Sequence, residues 1–126
     1  MSETARWVLV AAAATMGAIG VGLGAAAAHR VSDTALVTAA QFMVMHAAAA
    51  LGLIALATRC RAPAAWLFAT ILLLSGTALF AGDIALRAFA GQRLFPMAAP
   101  IGGSGMIAGW AMAMLAAILE LRAAAK

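Results

Sequence analysis

Four long apolar segments, separated by three short polar breaks, make up almost the whole chain. Each is long enough to cross a bilayer, which needs about 20 apolar residues at a rise of about 1.5 Å per residue. Backbone polar groups find no water in hydrocarbon, so each segment should be an α-helix. Short breaks favour antiparallel neighbours. We therefore predict an all-α membrane protein, an up-down bundle of four transmembrane helices in a single domain spanning residues 1–126, with helices at 7–28, 35–58, 64–86 and 97–119.

The breaks carry signals for helix starts and stops. Ser32 or Asp33 can cap the second helix, because a short polar side chain accepts hydrogen bonds from the first free amides. Pro63 suits the first turn of the third helix, where its missing N–H is not needed. The third break, 87–96, mixes polar residues with Phe89 and Phe95, a composition typical of a segment lying in the membrane interface.

Composition agrees with a membrane protein. Hydrophobic residues are 67% of the chain and charged residues 10%, against about 25% charged residues in ordinary soluble domains. The net charge of +4 comes from basic residues that stand singly in breaks and at segment ends, so no nucleic-acid partner is predicted. Membrane lipids are the expected contacts of these residues.

The basic residues also predict orientation, since cytoplasmic loops carry an excess of Lys and Arg. An up-down topology places five on one side and three on the other: Arg6, Arg59, Arg61, Arg122 and Lys126 against Arg30, Arg87 and Arg93. This bias predicts that both termini face the cytoplasm. Cys60 is the single cysteine, so an intrachain disulfide is excluded, and on the cytoplasmic side it should stay a reduced thiol.

Small residues recur at a spacing of four on two of the segments. Gly20 and Gly24 share this spacing on the first segment, and Gly105 and Gly109 share it on the fourth. Glycines at this spacing let helix backbones approach closely. The stripes fit contacts within the bundle or between copies of the chain, and we favour contacts within the bundle.

The fourth segment opens on helix-weakening residues. Pro100 is followed by Gly102, Gly103 and Ser104. Proline lacks an amide donor and glycine weakens helical order, so a loose helix start is predicted some distance inside the outer leaflet. Free amides there would attract a polar ligand, whereas the simpler and favoured interpretation is that these glycines allow tight packing.

A few polar side chains lie inside the apolar segments and are candidates for function, because their burial in a membrane is costly. Asp83 and Arg87 are four residues apart, about 40° around a helix, and are well placed to pair. His46 lies halfway along the second helix, roughly 10 Å deeper than Asp83. A bond between them needs a shifted helix or a bridging water, whereas His29 lies nearer the level of Asp83. We predict a polar network of His46, Asp83, Arg87 and His29.

This network fits two roles, with the structural one favoured: it holds helices together, or it forms a proton or ion path. The spacing of the histidines and Asp83 matches no ligand motif, so neither a metal nor a cofactor is predicted. The chain also lacks G-x-S-x-G, HExxH, a phosphate-binding loop and paired cysteines, so an enzyme is not predicted.

Four short pieces of the sequence resemble one family: residues 23–29 (LGAAAAH), 42–46 (FMVMH), 80–84 (FAGDI) and 99–103 (APIGG), the last followed by Gly109-Trp110. They resemble the YgdD-like family of small bacterial inner-membrane proteins. Ala27 replaces a glycine of that family's pattern, Phe42 and Met43 replace tyrosine and glutamine, and Ala99 replaces threonine. The resemblance implies four helices in the bacterial inner membrane and brings no biochemical activity with it.

The preferred interpretation is an integral inner-membrane protein of unknown role that binds lipid, an apolar ligand, a partner membrane protein or its own copy without catalysis. One alternative is a small transporter or channel with a polar path past His46, Asp83 and Arg87. Another is an accessory subunit of a larger membrane complex. A continuous water-lined cavity reaching His46 would favour transport. A dry core with a flat exposed apolar face would favour a protein partner.

Overall fold

The computed structural model describes residues 2–31 and 33–125 and contains four long α-helices in that part of the chain. They are α1 (Glu3–His29), α2 (Thr34–Ala57), α3 (Pro63–Ala90) and α4 (Ala98–Ala124). Each is long and apolar enough to cross a membrane. The prediction of an all-α bundle of four transmembrane helices is confirmed. Ser32 and Lys126, a predicted cap and a counted charge, lie outside the described residues.

The helix starts follow the capping signals of the sequence. Asp33 caps α2, with its Oδ1 accepting from the amides of Ala35 at 2.8 Å and Leu36 at 3.4 Å. Pro63 occupies the first turn of α3. Both observations confirm the predicted starts. The first amides of a helix have no partner within it, so Asp33 supplies an acceptor for them, and Pro63 has no N–H that needs one.

The third break is shorter than predicted. Helix α3 continues to Ala90, one turn beyond the expected end at Leu86, and stops at Gly91, whose φ of 67° is left-handed. Glycine takes this conformation without the penalty that a Cβ brings, so it ends the helix. The break therefore consists of residues 91–97, and the part of 87–96 that precedes Gly91 is helical.

The predicted loose start of α4 is wrong. The helix begins regularly at Ala98, and the amide of Ile101 donates to Met97 O at 2.9 Å. Pro100 lies in the first turn, where a missing N–H breaks no intrahelical bond. Of the glycines that follow it, Gly102 and Gly105 pack closely on the α3 backbone, whereas Gly103 does not.

Neighbouring helices along the chain are also the ones that pack extensively: α1 on α2, α2 on α3 and α3 on α4. One buried apolar cluster joins the first three helices and includes Met43 and Leu74. A second includes Leu73 of α3 and Met106 of α4. Helix α3 thus supports both α2 and α4, which stand apart from each other on its surface.

Glycines bring the backbones of α3 and α4 together. A Cβ added to Gly102 would lie 2.5 Å from Phe80 N, and one added to Gly76 would lie 2.7 Å from Gly102 O. One added to Gly105 would lie 3.2 Å from Gly76 Cα, and at Gly109 it would meet Leu73. Side chains at these positions would push the helices apart, so small residues set this helix separation.

The α1–α2 contact uses glycine less uniformly. At Gly20 an added Cβ would lie 2.9 Å from both Met43 Cβ and Val44 Cγ2, so no side chain fits without movement. At Gly24 it would lie 3.7 Å from Ala40 Cβ, an ordinary contact distance. Gly20 and Gly24 therefore both face α2, but only at Gly20 does the packing require glycine.

Candidate functional site

The polar residues of the bundle form two separate centres. The first lies near the C-terminal end of α3, where Arg87 Nη2 is 3.1 Å from Asp83 Oδ2. Their spacing of four residues places both on one helix face, as predicted. The Asp83 residue is only 2% exposed, whereas the Arg87 side chain is 39% exposed. The carboxylate is buried with its charge paired, and the guanidinium reaches the surface.

Asp83 also holds the connection between α3 and α4. Its Oδ1 accepts a hydrogen bond from the backbone amide of Leu94 at 3.0 Å. A Cβ on neighbouring Gly82 would lie 3.6 Å from Leu94 Cδ1, so the connection runs directly over this part of α3. The Asp83 carboxylate thus binds the guanidinium of Arg87 on its own helix and the amide of Leu94 in the following segment. These two contacts hold the α3–α4 connection in place.

The second centre is formed by His46 and Trp110. His46 Nδ1 lies 2.8 Å from Phe42 O, and Trp110 Nε1 donates to His46 Nε2 at 3.3 Å. A carbonyl oxygen only accepts and an indole N–H only donates. These partners assign the neutral imidazole with its proton on Nδ1 and the lone pair of Nε2 directed at Trp110.

The depth of this centre explains the bond. His46 lies near the middle of α2, and Trp110 lies near the middle of α4. Tryptophan in membrane proteins usually lies at the interface, where its N–H reaches water or headgroups. In mid-membrane an unpaired N–H costs several kcal/mol. His46 supplies the acceptor, and the pair bridges the two helices that α3 holds apart.

A groove of about 660 Å³ opens between α2 and α4 beside this pair, and we call it the α2–α4 groove. His46 is buried at 6% exposure, while Trp110 is half exposed at 51%. Of the nine described residues that line the groove, only these two carry side-chain nitrogen. The lining consists of Phe42, Met45, His46 and Ala49 of α2, Phe80 of α3, and Gly103, Met106, Ile107 and Trp110 of α4.

The aromatic rings form one wall of this groove. The Phe42 and Phe80 ring centres are 5.5 Å apart, and the Phe42 ring meets His46 edge-on at 5.7 Å. Edge-on and tilted arrangements at such distances are favourable for aromatic side chains. The wall is therefore a packed surface, whereas the Met45 and Ile107 side chains, which also line the groove, are exposed.

The predicted network of four residues is wrong in its extent. Asp83 pairs with Arg87, but His46 bonds to α2 and α4, and His29 lies exposed at the end of α1. In the part of the chain that the structure describes, no hydrogen bond or ion pair joins His46 to Asp83. Among the described residues, no group of three His, Cys, Asp or Glu side chains gathers as metal ligands would.

The sequence singled out four residues at the start of α4, and the structure gives them different roles: Pro100, Gly102, Gly103 and Ser104. Gly102 packs on the α3 backbone, whereas a Cβ on Gly103 would meet nothing within 4 Å, because this residue borders the α2–α4 groove. Ser104 Oγ donates to Pro100 O at 3.0 Å on its own helix. The amides of this turn thus belong to a regular helix rather than to a polar binding site.

Sequence reasoning missed Trp110 as the partner of His46. The signal was a tryptophan in the middle of an apolar segment, far from the interface at which this residue is usually found. It also missed the amide of Leu94, which no side-chain pattern could have indicated.

Glu120 was missed as well. It accepts from the amides of Ala62 at 2.7 Å and Arg61 at 3.1 Å, and Arg61 Nη1 donates to Ala123 O at 2.7 Å. Ala62 precedes Pro63 and makes no side-chain cap of its own, so a carboxylate from α4 holds the two residues that lead into α3. The sequence signal for such a partner was a helix that starts at a proline with no capping residue immediately before it.

Comparison with known proteins agrees with this architecture. The family model described as "Protein of unknown function (DUF423)" matches residues 23–103. The chain is 34% identical over 122 residues to the UPF0382 inner membrane protein YgdD of Escherichia coli K12, covering 91% of this chain and 92% of that protein, and YgdD of Shigella flexneri matches equally. No solved structure gives a significant match. The resemblance seen in the sequence is thus confirmed, and the chain belongs to the DUF423 family of membrane proteins.

Proposed function

We propose that this protein is a non-enzymatic protein of the bacterial inner membrane whose α2–α4 groove binds the apolar chain of an amphiphilic molecule. The observation that carries the proposal is the groove itself. It lies at mid-membrane depth between two spanning helices, and it is lined by apolar side chains around one buried imidazole. Its volume of about 660 Å³ falls within the range of about 300–1,000 Å³ that is usual for ligand sites.

The surroundings favour a lipid-like occupant. A cleft between transmembrane helices opens sideways to hydrocarbon, so the molecules that reach it first are the chains of membrane amphiphiles. Met45 and Met106 contribute flexible, polarisable side chains that adapt to an irregular apolar ligand. A flexible chain can follow such a lining.

A partner helix fits the groove less well. Helices associate in membranes through small residues that allow backbones to approach. The rim of the α2–α4 groove instead carries the large exposed side chains of Met45, Ile107 and Trp110. Gly103 and Ala49 are the small residues in the lining, and they lie on opposite helices.

A transport path receives less support. The carboxylate of Asp83 and the imidazole of His46 have separate partners, so they do not form one relay. The groove that reaches His46 has an apolar lining, which does not suit a water-filled path for ions.

The orientation that we propose has both termini in the cytoplasm. It is supported by the excess of basic residues on that side, five against three. The inner membrane as location is supported by the relative YgdD, which is named an inner membrane protein, and by the four spanning helices.

The experiment that tests the proposal is photo-crosslinking with a fatty-acyl probe that carries a diazirine near the middle of its chain. In membranes, we expect saturable labelling at Met45 and Ile107, followed by mass spectrometry of the peptides. Val8 of α1 is exposed at 61% and serves as the internal control. Equal, unsaturable labelling of α1 and of the groove would overturn the proposal. Crosslinks from the groove to another protein chain would favour the partner alternative.

A further inference from the structure

The pairing of His46 with Trp110 indicates what kind of ligand the groove takes. Resting on the proposed function, we infer that the α2–α4 groove selects an apolar alcohol or phenol, whose hydroxyl binds between His46 Nε2 and Trp110 Nε1. The inference concerns the polar end of the ligand, whereas the proposed function concerns only its apolar chain.

The atoms that face each other across the pair are one acceptor and one donor. His46 Nε2 offers a lone pair, because Nδ1 holds the ring proton against Phe42 O at 2.8 Å. Trp110 Nε1 offers an N–H and accepts nothing. A hydroxyl is the smallest group that both donates and accepts, so it can satisfy both nitrogens at once. An ether, ester or ketone oxygen accepts only, and would leave His46 Nε2 without a donor.

The pair is built so that it can open. The distance from Trp110 Nε1 to His46 Nε2 is 3.3 Å, longer than the usual 2.9–3.0 Å of an N–H bond. Inserting an oxygen requires the nitrogens to separate by about 1.5 Å. Trp110 is 51% exposed, so its ring can turn toward lipid, while His46 stays fixed by its bond to α2.

The depth of the site narrows the ligand class further. His46 lies near the middle of α2, where a charged headgroup would be far from water and strongly disfavoured. A neutral hydroxyl reaches this depth more readily than a phosphate or a carboxylate. The ring wall of Phe42 and Phe80 beside the pair also offers an aromatic surface for a phenol.

The test compares a dibrominated octadecanol with its methyl ether. Bromine quenches tryptophan fluorescence on contact, and Trp7→Phe with Trp66→Phe leaves Trp110 as the reporter. In detergent-solubilised protein of this background, we expect the alcohol to bind about tenfold more tightly than the ether, the ratio expected for one hydrogen bond. His46→Leu should bring the affinity of the alcohol to that of the ether.

The outcomes separate this inference from the proposed function. Equal saturable quenching by both compounds, unaffected by His46→Leu, would overturn the hydroxyl inference and leave apolar binding intact. Quenching by neither compound would count against both. A second readout needs no substitution at His46. In NMR of protein labelled at histidine nitrogen, the alcohol should move the Nε2 resonance upfield, because Nε2 then accepts from an O–H, whereas the ether, which has no donor, should not move it upfield. An unchanged resonance at saturating alcohol would overturn the inference.

Discussion

Trp110 donates its indole N–H to His46 Nε2 over 3.3 Å, and this bond joins α2 to α4 across the groove that separates them. It is the polar link between two helices that otherwise pack on α3 rather than extensively on each other. Together with the bond between His46 Nδ1 and Phe42 O, it sets the tautomer of the histidine.

The first prediction concerns this bond. Trp110→Phe keeps an aromatic ring but leaves His46 Nε2 without a donor, so it should lower the free energy of unfolding by about 1–2 kcal/mol. A double-mutant cycle with His46→Leu, measured by unfolding in detergent, should give a coupling energy of about 0.5–1.5 kcal/mol. Trp7→Phe is the matched control, since Trp7 is 56% exposed near the chain start. A coupling near zero would show that the bond does not form.

The second prediction uses two adjacent glycines with opposite surroundings. Gly102→Ala places a Cβ 2.5 Å from Phe80 N, so α3 and α4 must separate, and stability should fall by about 1–3 kcal/mol. Gly103→Ala meets no atom within 4 Å and should be neutral or gain up to about 1 kcal/mol from its helix preference. Thermal unfolding of both variants in one detergent checks this, and equal effects would contradict the described helix contact.

Several features of the fold could be predicted from the sequence, and particular residues show why. The sequence was sufficient to predict four helices from the lengths of the apolar segments, the starts of α2 and α3 from Asp33 and Pro63, and the pairing of Asp83 with Arg87 from their spacing. Each of these features depends on local periodicity or on helix capping. Gly91 as the end of α3 was missed, because the apolar count alone cannot distinguish a helix end from an interfacial segment.

The candidate site could be anticipated only in part. His46 stood out as a polar residue in mid-membrane, but its partner depended on how α2 and α4 are placed on α3. That placement is set by backbone contacts at Gly76 and Gly102, which a pattern of small residues does not pair uniquely. The groove and the bond across it therefore required the three-dimensional structure.

The third prediction concerns the asymmetry of the Asp83–Arg87 pair. Arg87→Gln leaves a carboxylate that is 2% exposed without its cation, and should cost on the order of 2 kcal/mol, since the lost guanidinium was itself partly screened. Asp83→Asn should cost less than about 1 kcal/mol, because Arg87 can reach the headgroups and the amide oxygen can still accept from Leu94.

The combined variant tests the origin of these effects. Asp83→Asn with Arg87→Gln should be more stable than Arg87→Gln alone, because no unpaired charge remains buried. Denaturant unfolding in detergent gives the three free energies. A double variant less stable than either single one would contradict a pairing role.

The fourth prediction tests orientation. Cys60 lies in the turn between α2 and α3, on the side that the charge count assigns to the cytoplasm. An impermeant thiol reagent should leave it unlabelled in intact cells and label it in inverted vesicles, whereas a permeant reagent should label it in both. Cys60→Ala is the control. Labelling by the impermeant reagent in intact cells would reverse the proposed topology.

The central claim is that the α2–α4 groove is occupied by an apolar molecule, and its most direct test is to fill the groove. Gly103→Leu should extend a side chain into the groove, while Gly52→Leu, equally free of contacts but outside the groove lining, is the matched control. Native mass spectrometry of protein extracted from membranes in mild detergent should show an apolar molecule bound to wild type and to Gly52→Leu. We expect it to be absent from Gly103→Leu at unchanged stability. The same molecule retained equally by all three proteins would contradict binding in this groove.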